Sequence, residues 1–325
     1  MPQNKKLDVM SVSDLCVDLL LRGNVRPKFG QAEQLIENYE LELGGSANIF
    51  AVQFANLGGR AGLIGRAGAD IFGRFALETL DRSRVDTSRV VVDPEIKTGL
   101  GVALTEPHDR AILTYSGSID AVTPEQLRAL DPRAFSHWHI ASYFLLTRLR
   151  AEWPRFCSEL IKYDVTVSLD TNWDPEDRWE DVTDLLPLTD VFLPNAAEAL
   201  AITGERDLHR AGSELAKLGP LVVIKQGADG ATAFIPNESE PLRVKPERTL
   251  SGREIVDCVG AGDCFDAGFL RAWKLGLSLE EALRWGLRCG AANLTAAGGI
   301  AGQVRQNISG ADIPVCPKTG AKLAF

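Results

Sequence analysis

Short apolar runs of strand character alternate along this chain with apolar residues spaced for one face of a helix. The run 165–169 follows a helical segment over 151–163, the run 221–224 follows another over 207–218, and 191–193 lies between them. That order predicts an α/β chain with a mainly parallel sheet covered by helices. Apolar residues at 47, 50, 51, 54 and 57 mark one further helix face, and Phe265, Phe269, Leu270 and Trp273 another. Ser278 followed by Glu281 reads as a capping box opening the last helix, which is expected to run on to a stop at Gly298 and Gly299. Two regions differ. Segments 19–43 and 98–118 carry short alternating runs, the second interrupted by a turn-like insert over 106–110, so each predicts paired strands inserted as a small flap. No internal repeat or low-complexity linker divides the chain, and residues 1–325 are read as one domain.

Composition narrows the class. With 325 residues, 45% hydrophobic, 24% charged and a formal net charge of −9, the chain has the makeup of a globular enzyme and lacks the basic surface that nucleic acid or an anionic membrane would attract. No apolar run approaches a bilayer span, and the amino terminus lacks a signal-peptide core. Six cysteines (16, 157, 258, 264, 289, 316) show no Cys-x-x-Cys pairing and read as reduced thiols of a cytoplasmic protein. Four histidines (108, 137, 139, 209) lack zinc-site spacing; His137 and His139 would share one side of a strand and read as structural.

The strongest chemical signal is Asp257-Cys258-Val259-Gly260-Ala261-Gly262-Asp263, directly ahead of an apolar pattern of helical period. Small residues at a helix start expose backbone N–H groups, and the helix dipole draws anions there. A carboxylate at such a site makes sense if Asp263 removes a proton from a hydroxyl while the N–H groups receive a phosphoryl group. A free aspartate has a pKa of about 3.9, so Asp263 is expected to be ionised at neutral pH, a weak base that takes the proton late. Gly44-Gly45-Ser46-Ala47-Asn48 precedes another helix: glycines let backbone approach a ligand, and Asn48 can bond a hydroxyl, while a plain turn with Ser46 or Asn48 as cap explains the same residues. Asp14 and Asp18, around the end of the first strand, are either grips for vicinal hydroxyls or solvated carboxylates. Asn195-x-x-Glu198 fits a capping arrangement and also the hydration shell of Mg²⁺. Lys225, Gly227 and Gly230 form either a hairpin turn or a place where a nucleotide lies on backbone, and Asp170 and Asn172 stand at a carboxyl strand edge where ligands gather. The P-loop and the Gly-x-Gly-x-x-Gly fingerprint are both absent from the sequence.

Taken in this order, the segments resemble the ribokinase-like (PfkB-type) carbohydrate kinases over roughly residues 8 to 300, with one signature from Gly44 to Gly73 and a second from Asp257 to Asp263. The resemblance implies a three-layer α/β/α fold with a small β-strand lid at 19–43 and 98–118, and ATP-dependent transfer of the γ-phosphoryl group to an alcohol of a sugar. It implies Asp263 as general base and the N–H groups of Gly260, Ala261 and Gly262 as anion hole. It places Asp18, Gly44, Gly45 and Asn48, with Asp14 as a companion, on the sugar. Asn195 and Glu198 become the Mg²⁺–phosphate pair, and Lys225, Gly227, Gly230 and Asn293 the nucleotide contacts. Asp257 and Val259 match positions that help bind K⁺ in some members. Dimerisation through the lid strands is a further expectation of the family.

Three departures bear on substrate. Cys16 stands where ribose-specific members are often polar, the region of Tyr115 and Ser116 lacks the arginine expected for an acidic sugar, and Cys258 replaces a commoner threonine. The alternatives are a nucleoside kinase on the same scaffold, with Phe29, Tyr39 or Tyr115 clamping the base, and a non-catalytic sugar or nucleotide sensor.

Overall fold

The computed structural model describes residues 6–106, 109–252 and 254–308. Pro107 and His108 of the hairpin turn, and Cys316, lie outside the described residues. Among those described, nine strands form the main sheet: β1 (Val9–Val12), β4 (Ala61–Gly68), β5 (Asp86–Asp93), β8 (His137–Ile140), β9 (Thr166–Leu169), β10 (Val191–Phe192), β11 (Leu221–Lys225), β12 (Ala231–Phe234) and β13 (Leu242–Val244). Their spatial order is β13-β12-β11-β10-β9-β8-β1-β4-β5. From β5 to β11 neighbouring strands run parallel, and β12 and β13 close one edge antiparallel.

The expected three layers follow from side-chain alternation. Met10 and Val12 join Val222 and Ile224 in the core on one face, while Val9 and Val223 belong to the core on the other. The first face is covered by α4 (Trp153–Ile161), α5 (Val182–Leu185), α6 (Ala196–Thr203) and α7 (Leu208–Ala216). The second is covered by α1 (Ser46–Asn56), α2 (Ile71–Arg82), α8 (Ala261–Lys274) and α9 (Leu279–Asn293). A short α3 (Pro124–Arg128) leads into β8. His137 and His139 are buried on one side of β8 and both bond Ser168 Oγ at 2.8 Å, so they act within the core, held neutral by burial.

A separate four-stranded sheet, β3-β2-β6-β7, contains β2 (Cys16–Arg22), β3 (Asn38–Gly44), β6 (Gly99–Glu106) and β7 (Asp109–Tyr115). The expected hairpin is β6–β7, paired antiparallel. Two boundaries differ from the sequence reading. The lid strand begins already at Cys16, because the chain breaks at Ser13–Asp14 where the Asp14 side chain turns onto α1. The last helix ends at Asn293, ahead of Gly298, because its final turn pairs with the 256–259 segment: Leu294 O accepts from Val256 N at 2.8 Å and Asn293 Nδ2 donates to Val259 O.

Strand order reverses at β1, with β4 on one side and β8 on the other. The residues after the carboxyl ends of β1, β8, β9, β10 and β11 therefore meet at one crevice, the place where open α/β sheets bind ligands. Asp14, Ser142, Asp170, Asn195 and Lys225 occupy those positions.

Candidate active site

Asp263 lies in the first turn of α8, which starts behind Gly260 in the left-handed conformation (φ 74°) that an L side chain rarely adopts. The helical ladder opens with Cys264 N–H donating to Gly260 O at 2.9 Å, so the N–H groups of Gly260, Ala261, Gly262 and Asp263 stand ahead of it. Those groups and the helix dipole make an anion site. The Asp263 side chain is buried at 7% exposure. Burial, with Asp170 and Asp14 nearby, pushes its carboxyl up to about 7, while Lys225 and a hydrogen bond from Ser46 oppose the rise. This corrects the expectation of a weakly basic Asp263. A base that titrates near neutrality accepts a hydroxyl proton far more readily than one at about 3.9.

Beneath the anion site lies Lys225. Its Nζ donates to Asp170 Oδ2 at 2.7 Å and lies 3.2 Å from both oxygens of Asp266, and a Cβ on Gly262 would stand only 3.5 Å from it. The lysine is thus tied to two carboxylates while facing the anion site. Its buried ammonium is held ionised: burial opposes its charge, but Asp170, Asp266 and Glu198 outweigh that. Asp266 is a residue the sequence reading did not single out. The signal available was the i, i+3 spacing from Asp263, which puts both carboxylates on one helix face.

Asn195 and Glu198 form the capping box of α6, with Asn195 Oδ1 accepting from Glu198 N at 2.9 Å and Glu198 Oε2 accepting from Asn195 N at 2.8 Å. The cap does not exhaust the glutamate electrostatically. Burial and Asp170 push Glu198 up to about 7, against the pull of Lys225. Carboxylate charge in this corner exceeds what one lysine balances, so the hard-oxygen set Glu198 and Asp170 suits a Mg²⁺ ion that keeps its waters. Among the described residues no three His, Cys, Asp or Glu side chains converge as a metal cage.

On the opposite side of Asp263 the glycine pair begins α1. Gly45 has φ 87°, and its side-chain-free face admits Asp14, whose Oδ2 and Oδ1 accept the N–H groups of Ser46 (2.8 Å) and Ala47 (3.1 Å). Ser142 Oγ donates to the same Asp14 at 2.6 Å. Asp14 therefore caps a helix. Asn48 is fully buried as well, its Nδ2 donating to Gly44 O at 2.8 Å and its Oδ1 accepting from Ser13 Oγ at 2.5 Å. Asp18 is placed differently: it projects from the lid strand, half-buried, between Gly44 and Gly101, where a Cβ would come within 2.6 and 2.3 Å of its oxygens. Glu42 is its cross-strand partner, and burial together with Glu40, Asp18 and Asp257 raises the Glu42 carboxyl.

Ser46, weighed in the sequence only as a helix cap, does not cap α1, whose N-cap is Gly45. Its hydroxyl accepts from Asn172 Nδ2 at 3.0 Å and draws the Asp263 carboxyl down, while Asn172 Oδ1 accepts from Ser142 N at 2.8 Å. Ser142 and Asn172 both have positive φ (53° and 54°), strain of the kind found where a site over-determines its backbone.

A cavity of about 360 Å³ opens on the far side of the anion site, lined by Gly227, Gly230, Cys258, Gly262, Leu287 and Leu294 among others. Its apolar walls and glycine edges suit a purine ring and phosphates. Lys225 reaches its floor. Asn293, expected beside an adenine, is fully buried and donates instead to Val259 O at 2.6 Å, leaving its Oδ1 without a partner. Asp257 accepts from Val259 N (3.1 Å) and Gly298 N (3.0 Å). A carboxylate, a backbone carbonyl and an orphaned amide oxygen are the donor types a monovalent cation takes, so these residues fit K⁺.

Comparison with known proteins agrees with this geometry. The family model described as pfkB family carbohydrate kinase matches residues 6–306. The chain is 31% identical to an ATP-dependent ribose-1-phosphate kinase of Halopiger xanaduensis over 87% of its length and 90% of that protein. It shares its fold with an Escherichia coli protein described as ribokinase II, in complex with ATP and Mg²⁺ (22% identity, TM-score 0.78, covering 91% of this chain and 96% of that one). A fructokinase double mutant of Vibrio cholerae with fructose, ADP and potassium bound is similar too (23% identity, TM-score 0.76, covering 93% and 96%).

Proposed function

Because the chain belongs to the pfkB family of carbohydrate kinases, enzymes that transfer a phosphoryl group to a hydroxyl, we propose that it uses ATP to phosphorylate a neutral monosaccharide or close derivative, with Asp263 as general base. One observation carries the assignment. A buried carboxylate titrating near 7 stands between a nucleotide-sized cavity and the lid sheet, at the anion-binding start of α8. In this reading the acceptor lies under the lid, gripped by Asp18 and the Gly44–Gly45 backbone. Asp14 and Asn48 support that backbone from below.

The chain's own groups then divide the work. Asp263 takes the hydroxyl proton as the oxygen bonds to phosphorus, and the N–H groups of Gly260, Ala261 and Gly262 receive the charge on the transferring oxygens. Lys225 supplies a fixed positive charge beneath them. Gly227 and Gly230 bring backbone close to the nucleotide. Mg²⁺, when bound, neutralises phosphate charge, and Glu198 with Asn195 would hold it through water. K⁺ at Asp257, Val259 and Asn293 would order the loop that precedes the anion hole. Closing the lid over this arrangement excludes water, which otherwise competes as the acceptor.

Two further features of the proposal concern the protein's setting. The lid exposes Tyr39, Ile112, Leu113 and Tyr115, apolar surface that supports a homodimer formed through the lid. Five described cysteines are free, which supports a reducing, cytoplasmic location, and no described helix is long and apolar enough to cross a membrane.

The test is ADP release across a panel of neutral sugars, sugar phosphates, sugar acids and nucleosides, with and without K⁺. Neutral sugars should turn over fastest, and Asp263→Asn should lower kcat by about three orders of magnitude with ATP binding retained. Preference for a nucleoside would move the enzyme to the alternative substrate class. Ligand binding without turnover on any acceptor would make it a sensor.

A further inference from the structure

The loop after β9 carries an exposed tryptophan. Trp173 is 53% exposed, whereas Trp138, Trp153 and Trp179 are buried and Trp273 and Trp285 are half-buried. Among the described residues no group accepts its indole N–H, which is a donor only. Its chain neighbour Asn172 reaches into the crevice, donating to Ser46 Oγ at 3.0 Å and accepting from Ser142 N at 2.8 Å. Trp173 therefore starts from the rim of the crevice on the side of Ser46 and the Gly44–Gly45 turn. It takes no part in lining the nucleotide cavity.

The indole is held in place. Its ring meets Trp179 edge-on with centroids 4.9 Å apart, Trp179 meets Phe144 at 5.5 Å, and Phe144 meets Tyr143 at 5.1 Å. This ladder of near-perpendicular rings runs from the exposed indole into the core. The loop beneath it is fixed as well. Buried Asp174 accepts the backbone N–H groups of Glu176, Arg178 and Trp179 at 3.0, 2.9 and 2.8 Å. Asn172, Asp177, Trp179 and Asp181 have φ between 54° and 66°, left-handed backbone that a residue as bulky as tryptophan seldom adopts. An exposed ring fixed in advance binds a ligand at little ordering cost.

An indole face with an unused N–H at its edge suits a ligand that offers an apolar face and a hydroxyl beside it. A cyclic sugar has both: C–H bonds on the face of the ring and hydroxyl oxygens around it. An open-chain polyol or sugar acid has no fixed face. We propose that Trp173 is a specificity-determining residue that stacks on the ring of the acceptor and restricts the enzyme to cyclic sugars. The inference rests on the reading of this crevice as the acceptor site of a sugar kinase, and it adds the form in which the sugar is taken.

The test compares wild type with Trp173→Phe and Trp173→Ala on D-ribose, D-fructose, D-glucose, the alditols ribitol and sorbitol, and adenosine. For the best cyclic sugar, KM should rise about threefold in Trp173→Phe, which keeps a ring and loses the N–H. In Trp173→Ala it should rise about tenfold or more, with kcat and the KM for ATP within about threefold of wild type. The preference in kcat/KM for a cyclic sugar over an alditol should fall about tenfold in Trp173→Ala, a change that a merely loosened loop does not produce. Fluorescence reads the same contact without turnover. With MgADP present, a cyclic sugar should move wild-type emission to shorter wavelength as the exposed indole is covered. Trp173→Phe should lose that shift while calorimetry still records binding.

A Trp173→Ala enzyme with wild-type acceptor KM overturns the proposal, as does turnover of alditols equal to that of cyclic sugars. An emission shift that survives in Trp173→Phe overturns it, and so does one produced by adenosine but by no sugar, or by none of these ligands. If Trp173→Ala does not fold, the emission of wild type and Trp173→Phe decides. Wild type that releases ADP with no acceptor would sink the kinase reading instead, and the emission shift, which needs binding alone, would still judge Trp173.

Discussion

Asp14 Oδ2 accepts the backbone N–H of Ser46 at 2.8 Å although the two residues are 32 apart in the chain. That bond explains how α1 begins without a side-chain cap of its own: Gly45 at the N-cap position offers none. It also separates the two aspartates that the sequence presents as a pair. Asp14 bonds Ser46, Ala47 and Ser142, while Asp18 sits in the lid opposite Glu42.

Asp14→Ala should therefore be a stability variant. Losing a buried acceptor of three hydrogen bonds leaves their donors unsatisfied and costs about 2–4 kcal/mol. Asp18→Asn should leave the melting temperature unchanged or slightly raised, since it relieves like charge across the strands, and should raise acceptor KM about tenfold or more. Thermal scans and Michaelis curves on both variants check the split. An Asp14→Ala enzyme with native stability and a raised KM would return Asp14 to the sugar.

In the proposed mechanism the pH dependence of catalysis would follow from Asp263, pushed up to about 7 chiefly by burial. A general base works deprotonated, so kcat/KM should fall about tenfold per pH unit below that value and level off above it. A profile flat down to pH 5 would show that Asp263 is an ordinary low-pKa carboxylate in the working enzyme.

Ser46→Ala tests what tunes that base. The hydroxyl holds the Asp263 carboxyl down and is itself aligned by Asn172 at 3.0 Å. Its removal should move the acid limb upward by roughly half to one pH unit, so the loss of activity is larger at pH 6.5 than at pH 8.5. Asn172→Ala should shift the limb in the same direction through Ser46. An equal loss at both pH values would mean that Ser46 merely shapes the loop.

The layers, the small second sheet and the glycine-led start of α8 were legible in the sequence because each leaves a periodic or compositional trace. Runs at 165–169, 191–193 and 221–224 became β9, β10 and β11, and Phe265, Phe269 and Leu270 became the buried face of α8. What was not legible is who bonds whom across the crevice. Asn48 carries an amide suited to a sugar hydroxyl, yet Ser13 and Gly44 occupy it; Asn293 turned inward to Val259. Those outcomes depend on strands distant in sequence arriving at the same edge. The raised pKa of Asp263 is of the same kind, since Asp170 and Asp14 reach it only through the fold.

Stability should carry the mark of the raised carboxyl as well. Its folded-state pKa, about 7, exceeds the unfolded value of about 3.9, so the native state binds the extra proton between those limits. The contribution is fully present below about pH 4 and is lost as pH rises through 7, with roughly 4 kcal/mol as an upper bound. Asp263→Asn has no such titration. The variant should be more stable than wild type at pH 8, with the difference shrinking towards pH 5. Taking the difference between the two proteins cancels His137 and His139, which burial holds neutral and which act oppositely with pH. Denaturant melts at pH 5, 6, 7 and 8 check it; a pH-independent difference would contradict the burial of a charged base.

Cys258 offers a chemical test of the nucleotide cavity. It is the exposed thiol among the described cysteines, while Cys16, Cys157, Cys264 and Cys289 are buried, and burial raises each of those four thiols. It lines the cavity beside Ala261 and Gly262, so a carboxamidomethyl group there would occupy space that a nucleotide needs. Iodoacetamide should inactivate the enzyme, with Cys258 identified by peptide mapping. MgATP at saturating concentration should slow the loss about tenfold or more, in proportion to site occupancy, whereas the acceptor sugar alone should not. Cys258→Ser should remain active and resist the reagent. If modification of Cys258 proceeds at the same rate with and without MgATP, the nucleotide does not occupy this cavity, and the roles of Gly227, Gly230 and Lys225 fall with it.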